Sequence, residues 1–222
     1  MFEHRHPYDP FNLEDATKLI MGTLPPPRFT TGELHPADVD FCYGSKNGML
    51  WPILDTIFSL NLSFENNKKA INERKHFLLD HRIGVCDIVA SAKRKKIDAS
   101  DFGMLEVELC DIFNLLKIHR QIETLLFMGR NSKNGPEYFF RRQAKTKNIL
   151  LTTKIATVPR HMEFQLDGRT IRTITLTAPS GAANRAIGSI PEYKARKKLD
   201  PQYTTFDFRV EQYAPFFKEI KN

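Results

Sequence analysis

Residues 16–27 read Ala16-Thr-Lys-Leu-Ile-Met-Gly-Thr-Leu-Pro-Pro-Pro27, and the fold can be deduced outward from this stretch. A short apolar run, Ala16 to Met21, passes directly into a loop of glycine and proline, Gly22 to Pro27. An apolar run of this length that ends in turn residues predicts a buried strand. Ligands bind outside the carboxyl ends of strands in an open parallel sheet, so this loop is a candidate binding segment.

Segments with helical periodicity follow the strand. Apolar residues at 50, 53, 54, 57 and 58 have the spacing of one buried helix face, and residues 66–79 predict a more charged helix. Residues 83–90 are compatible with a strand or with the start of a helix, and residues 93–101 predict an exposed connection. Further along the chain we expect a helix over 111–118, a strand over 122–127 and a basic helix over 138–145.

A hairpin completes the pattern of strands. Residues 161–166 and 169–176 flank Asp167-Gly168, a dipeptide typical of two-residue hairpin turns. Because strands alternate with helices, the sequence predicts an α/β fold, a three-layer sandwich with a central, mainly parallel sheet flanked by helices. We expect one domain over 1–222, with a C-terminal extension from about 191 that holds an alternating segment at 206–210 and a short helix to Ile220.

The charge of the chain favours a polyanionic partner such as nucleic acid. Lys and Arg total 33 against 26 Asp and Glu, which gives a formal net charge of +7. Cationic side chains near phosphates release condensed counterions, and this release drives binding. Basic runs at 93–96, 141–147 and 194–198 would therefore lie against a phosphate backbone, or they simply face solvent.

Several other kinds of site are not expected. The 3 cysteines are an odd number without a CxxC pair, which argues against a disulfide framework or an iron–sulfur cluster. The 7 histidines are scattered, so we expect no metal site. No run approaches the roughly 20 apolar residues of a membrane span, and the N-terminus has no signal-peptide pattern. We expect a cytoplasmic monomer that does not bind membranes.

Three loops rich in special residues follow predicted strands, at 22–27, 129–135 and 178–185. The carboxyl ends of parallel strands meet at one edge of a sheet, so these loops would converge on a single site. The alternative is that glycine and proline merely mark the ends of strands.

An ordered set of motifs resembles the uracil-DNA glycosylase superfamily. The segments that resemble its hypoxanthine-DNA glycosylase-like branch are His6-Pro-Tyr8, Ala16 to Pro25, Tyr43-Gly-Ser45 with Leu50-Trp51, and Ile83 to Ser91. Thr177 to Asn184 is similar to the Pro-Ser loop of that branch and to the Pro-Ser-Gly loop of mismatch-specific uracil glycosylases. The resemblance covers about residues 4–190. It implies a monofunctional DNA glycosylase, which flips a damaged base out of DNA and hydrolyses its N-glycosidic bond without a metal or other cofactor.

The resemblance implies a pocket for the flipped base. Gly22, Thr23 and Leu24 would offer backbone groups to the base and to water. Phe41 or Tyr43 would stack on the base, although Tyr43 can equally be an aromatic residue packed beneath the helix.

The position of the essential residue is shifted in this chain. Members of the family place an Asn five residues after the Tyr of a Tyr-Gly pair, and that position is Gly48 here. Asn47, one residue earlier, is our candidate catalytic residue, because its amide can hold water and the leaving base without changing charge. The alternative is that Asn47 caps the helix that begins near Met49. The carboxylates that would activate water in its place are Asp38, Asp40 and Asp87.

A second departure concerns base recognition. Met128 stands where relatives commonly have a polar Asn that reads the base, and Asn131 is a nearby substitute. Gly48 and Met128 would open the base-binding pocket to a base other than uracil, including one with a bulky modification. The same departures fit a DNA-binding relative with little catalytic power. A flavodoxin-like small-molecule enzyme is a further class, but residues 22–27 lack a phosphate-cradling glycine pattern.

Contacts with DNA are expected from the Pro-Ser loop and the turn before the first long helix. Ser180 and Gly181 would grip the DNA backbone, and Lys46 would approach a phosphate. Asn184 or Arg185 would enter or brace the gap in the base stack. The alternative is that this segment starts a helix whose N-terminus serves both roles.

Overall fold

The apolar run that precedes Gly22 forms a strand inside a six-stranded sheet. The computed structural model describes residues 1–130 and 132–218. The strands are β1 (Phe2–Arg5), β2 (Lys18–Met21), β3 (Ile83–Val85), β4 (Val89–Arg94), β5 (Met104–Leu109), β6 (Thr124–Phe127), β7 (Thr152–Ile155), β8 (Arg160–Leu166) and β9 (Arg169–Thr175). The helices are α1 (Pro27–Thr31), α2 (Leu50–Phe58), α3 (Lys68–Asp80), α4 (Ile112–Ile118), α5 (Pro136–Thr146), α6 (Asn184–Gly188), α7 (Pro191–Leu199) and α8 (Thr205–Phe217).

The central sheet is mainly parallel. Its strand order is β3-β2-β6-β9-β8-β7, in which β3, β2, β6 and β9 run parallel and the β8 and β7 pairings are antiparallel. The turn between β8 and β9 is the predicted hairpin, and both Asp167 (φ 48°) and Gly168 (φ 78°) have the positive φ of a type I′ turn.

Helices cover both faces of this sheet. Successive residues of a strand point to opposite faces, so Leu19 and Met21 pack with α4 and α5, whereas Ile20 packs with α2, α3 and α8. The predicted α/β fold with a mainly parallel sheet between helical layers is confirmed.

A second, antiparallel sheet occupies a region that the sequence analysis assigned in part to an exposed connection. Its strand order is β1-β4-β5. The prediction of an exposed connection from 93 was wrong at its start, because Lys93 and Arg94 complete β4. Arg94 is buried and donates from Nε to Nδ1 of His4 at 2.8 Å. A basic run thus contains a structural arginine that local charge alone does not reveal.

The C-terminal extension holds the third loop in place. Residues 206–210 alternate in polarity but lie within α8, which packs on α2 and ends at Phe217. The predicted end of this helix, Ile220, lies outside the described residues. Arg209 donates from Nε to the carbonyl of Ala178 at 3.0 Å and from Nη2 to the carbonyl of Ser180 at 2.7 Å. Helix α8 therefore fixes the segment that follows β9.

Replacement of Arg209 by Met should destabilise the protein. Arg209 is buried and also donates to the carbonyl of Thr205, so its removal leaves carbonyl groups without their charged donor. We expect the free energy of unfolding in urea to fall by about 2–4 kcal/mol. Arg185→Met, at an exposed position, is the matched control and should leave stability nearly unchanged. Equal effects of both substitutions would show that the contacts of Arg209 add no stability.

Candidate functional site

A cavity of about 820 Å³ opens at the carboxyl end of the parallel strands. Its walls come from residues 22–26, 43–50 and 178–182, together with Arg28, Asp87, Ala99, Asp101 and Met128. The first and third predicted loops therefore meet at one site, as expected. The second loop, 129–135, was expected there too, but its described residues do not line the cavity. It supports the wall from behind, because Asn134 Nδ2 donates to the carbonyl of Asp101 at 2.9 Å.

The carboxylate of Asp87 holds the first loop and the turn after it. Oδ1 accepts hydrogen bonds from the backbone N–H of Gly22 at 2.6 Å and from the hydroxyl of Tyr43 at 2.7 Å. Oδ2 lies 3.0 Å from Nε2 of His6. Burial opposes the charge of His6, but the hydrogen bond and the charge of Asp87 outweigh it and raise the pKa of the ring. Asp87 thus binds three separate segments of the chain.

This arrangement explains why a glycine stands at position 22. A Cβ on Gly22 would lie 2.4 Å from Oη of Tyr43, closer than any real contact allows. Tyr43 itself has a φ of 60°, and its ring lines the cavity with its hydroxyl bound to Asp87. Burial, and then the charge of Asp87, raises the pKa of Tyr43 well above its ordinary value. Tyr43 is therefore a packed aromatic residue that also lines the cavity. Packing beneath the helix and stacking on a base are compatible interpretations.

Asp38 has a structural role. Its buried carboxylate accepts from Nε and Nη2 of Arg28 at 2.6 and 2.7 Å, and from the backbone N–H groups of His35 and Lys46. Burial alone would raise the pKa of Asp38, but Arg28 and the two backbone donors hold it well below its ordinary value. Asp38 orders the turn that carries Lys46 and does not line the cavity.

Asn47 and its neighbours line the cavity. The side chain of Asn47 is exposed there, and its backbone N–H donates to Oγ of Ser45 at 3.3 Å. The alternative reading of Asn47 as a helix cap is wrong, because the N-cap of α2 is Met49 and no side chain caps it. Gly48 pairs with Ser180 as an isolated β-bridge, which joins this turn to the third loop. Lys46, exposed, lies on the same wall.

Four of the candidate residues lie outside the cavity wall. Asp40 is exposed and accepts from the hydroxyl of Tyr8 at 2.8 Å, while Phe41 is buried against the Trp51 ring. Neither residue lines the cavity. Asn184 and Arg185 belong to α6 and do not line the cavity, unlike Ser180 and Gly181 of the preceding loop. The candidate Asn131 lies outside the described residues.

Asp101 is an acidic cavity residue that the sequence did not single out. Oδ1 accepts a hydrogen bond from the hydroxyl of Thr23 at 2.7 Å, and Thr23 was itself a predicted base-binding residue. Burial raises the pKa of Asp101 to about 6, against the Thr23 hydrogen bond and the charge of Arg94, and the charge of Asp87 acts in the same direction as burial. In the sequence this residue follows the polar run Asp98-Ala-Ser100, which is typical of a loop and carries no sign of burial.

Within residues 1–130 and 132–218, no group of three or more His, Cys, Asp or Glu side chains is arranged to hold a metal ion. Over the same residues, none of the helices combines the length and the apolar character needed to cross a membrane.

Comparison with known proteins gives one structural similarity. No protein-family model and no curated protein matches the sequence. The fold is similar to a solution NMR structure from Methanosarcina acetivorans that is described as a "putative Uracil DNA glycosylase". The two chains share 17% sequence identity over 95% of this chain and 99% of that chain, with a TM-score of 0.53. At this identity the similarity shows a shared fold.

Substitution of Asp101 by Asn should stabilise the protein at high pH. The pKa of Asp101 is raised from 3.8 to about 6 by folding, so the folded chain binds the proton more tightly, and stability falls as pH rises from about 3.8 to about 6 and stays lower above that range. Asp101→Asn removes this cost, and we expect the free energy of unfolding to rise by about 1–3 kcal/mol at pH 8 and by little at pH 4. Urea unfolding at both pH values measures the difference. The exposed control Asp15→Asn should change stability little at either pH, and a pH-independent effect of Asp101→Asn would contradict the raised pKa.

Proposed function

We propose that this protein is a monofunctional DNA glycosylase, which binds a base flipped out of DNA and hydrolyses its N-glycosidic bond to leave an abasic site. The observation that carries the proposal is the cavity at the carboxyl end of the parallel strands, which both Asn47 and Asp101 line. Its volume of about 820 Å³ is within the range of small-molecule sites and leaves ample room for a nucleotide base. The fold similarity and the ordered motifs support the same function.

The polar groups of the cavity suit this reaction. When the bond between C1′ and the base breaks, its electron pair leaves with the base and positive charge grows on the sugar. Asp101 as a carboxylate accepts a proton from the water whose oxygen bonds to C1′, and a pKa of about 6 makes it a base that works near neutral pH. The Asn47 amide can accept from that water and donate to the departing base without changing charge. Preorganised polar groups of this kind stabilise developing charge.

The shape of the cavity supports a base larger than uracil. Gly48 contributes no side chain to the wall, and Met128 contributes an apolar one where relatives commonly have Asn. Tyr43 is fixed by Asp87 and offers an aromatic face for stacking. Backbone groups of 22–24 would contact the base, and Lys46, Ser180 and Gly181 would contact the DNA backbone. We therefore place the protein close to the hypoxanthine-DNA glycosylase-like branch, with a purine or a bulky modified base as substrate.

A panel of duplexes tests the activity. We expect an alkali-labile break at the target base in at least one duplex that carries uracil, hypoxanthine, xanthine, a mismatched thymine or a modified cytosine. Alkali cleaves the strand at an abasic site, so the break reports loss of the base. A protein that binds these duplexes with strong salt dependence but produces no abasic site would be a DNA-binding relative without glycosylase activity.

Two substitutions test the assigned chemistry. We expect Asn47→Ala and Asp101→Asn each to lower single-turnover excision by on the order of a hundredfold, because each removes a polar group that acts on developing charge. Binding to the same duplex should persist, since neither residue supplies positive charge. Asp40→Asn is the matched control, because Asp40 lies outside the cavity wall. Loss of excision in the control together with normal excision by Asp101→Asn would reverse the two assignments.

A further inference from the structure

The loop between β4 and β5 forms one rim of the cavity and carries exposed apolar side chains. Arg94 pairs with Met104 across this hairpin, so residues 95–103 are its tip. Ala99 and Asp101 of the tip line the cavity. On the same tip, the side chains of Ile97 and Phe102 are 71% and 67% exposed. Two large apolar side chains therefore stand in solvent at the mouth of the cavity.

The tip is held from beneath. The buried Arg94 donates from Nη1 to the carbonyl of Ser100 at 2.6 Å and lies 3.6 Å from the carboxylate of Asp98. Asp98 also accepts from the backbone N–H of Ser100 at 3.0 Å, and Gly103 donates its N–H to the carbonyl of Ser100 at 3.1 Å. These contacts define the conformation of the loop. They leave the side chains of Ile97 and Phe102 exposed to solvent.

Where the third loop lines the cavity, it exposes no large side chain that could fill a gap in a base stack. Of its lining residues 178–182, the exposed ones are Gly181 and Ala182, which have at most one side-chain carbon. A base that leaves the duplex vacates a space between its neighbours, and proteins that distort DNA fill such spaces with apolar side chains such as Phe or Ile. Lys95 and Lys96 lie exposed next to Ile97, where their positive charge complements the phosphates of DNA that flank a displaced base.

We propose that the tip of the β4–β5 hairpin is a wedge, which inserts Phe102 and Ile97 into the space vacated by the flipped nucleotide while Lys95 and Lys96 contact the phosphates beside it. The occupant of this surface is duplex DNA at the site of a displaced base. The proposal rests on the proposed function for its choice of partner. It moves the wedge from Asn184 and Arg185, where the family resemblance places it, to the loop between β4 and β5.

The test uses a duplex that contains a tetrahydrofuran abasic-site analogue with 2-aminopurine as its neighbour. This probe carries no base to excise, so binding is measured apart from catalysis. We expect the protein to prefer this duplex over an intact one and to change the 2-aminopurine fluorescence on binding. The double variant Ile97→Ser, Phe102→Ser should lose on the order of tenfold in affinity for the probe, together with the fluorescence change. Ile118→Ser, at a side chain that is 66% exposed on α4, is the matched control and should behave as the original protein.

The outcomes separate this proposal from the proposed function. A double variant that keeps both the affinity and the fluorescence change overturns the wedge, as does an unaltered protein that does not distinguish the probe from intact duplex. Tip-dependent binding by a protein that excises no base from any duplex supports the wedge and contradicts the glycosylase activity. Thermal melting of the double variant should match the original, because both side chains are exposed.

Discussion

The carboxylate of Asp87 is the interaction on which the geometry of the cavity depends. It receives the N–H of Gly22, the hydroxyl of Tyr43 and the ring of His6, which belong to three separate segments of the chain. A buried carboxylate is costly unless donors replace its lost water, so these three segments are held where they can donate. The same contacts place the end of β2 beside the turn that leads into α2. The carboxylate therefore joins the first loop directly to the turn that forms the neighbouring wall of the cavity.

A second carboxylate in the same cavity has a different environment. Asp87 is bound by three groups of the protein, whereas Asp101 is held by the hydroxyl of Thr23 and its pKa is raised to about 6 by burial. A carboxylate whose donors are all supplied by the fold suits a structural role. One that is costly to ionise suits proton transfer, and enzymes commonly separate the roles of paired carboxylates by environment in this way. The proposed roles, Asp87 in architecture and Asp101 in chemistry, rest on this difference.

Periodicity in the sequence was sufficient to predict the layers but not the details of the site. The strand before Gly22, the helix over 50–58 and the Asp167-Gly168 hairpin were predicted, because apolar spacing and turn residues act locally. Arg94 and Asp101 were assigned to an exposed connection, since their burial depends on partners distant in the chain. Phe41 and Asp40 show the same limit, because closeness in sequence to Tyr43 does not place a side chain in the cavity. They lie a few residues from Tyr43, yet the intervening turn directs one into the core and the other to solvent.

Three arginines fix three parts of the cavity wall, and none of them is needed for the proposed chemistry. Arg28 holds the 43–48 turn through Asp38 and Ser45, Arg94 holds the hairpin tip through Ser100, and Arg209 holds the third loop through Ala178 and Ser180. A guanidinium group is planar and presents several donors in a fixed fork, so one side chain can orient two acceptors at once. Loops that must leave their polar edges open to a ligand cannot bury them in a core. Arginine side chains supply that support from the neighbouring structure, so the position of the cavity depends in part on the buried Arg94 and Arg209, which do not line it.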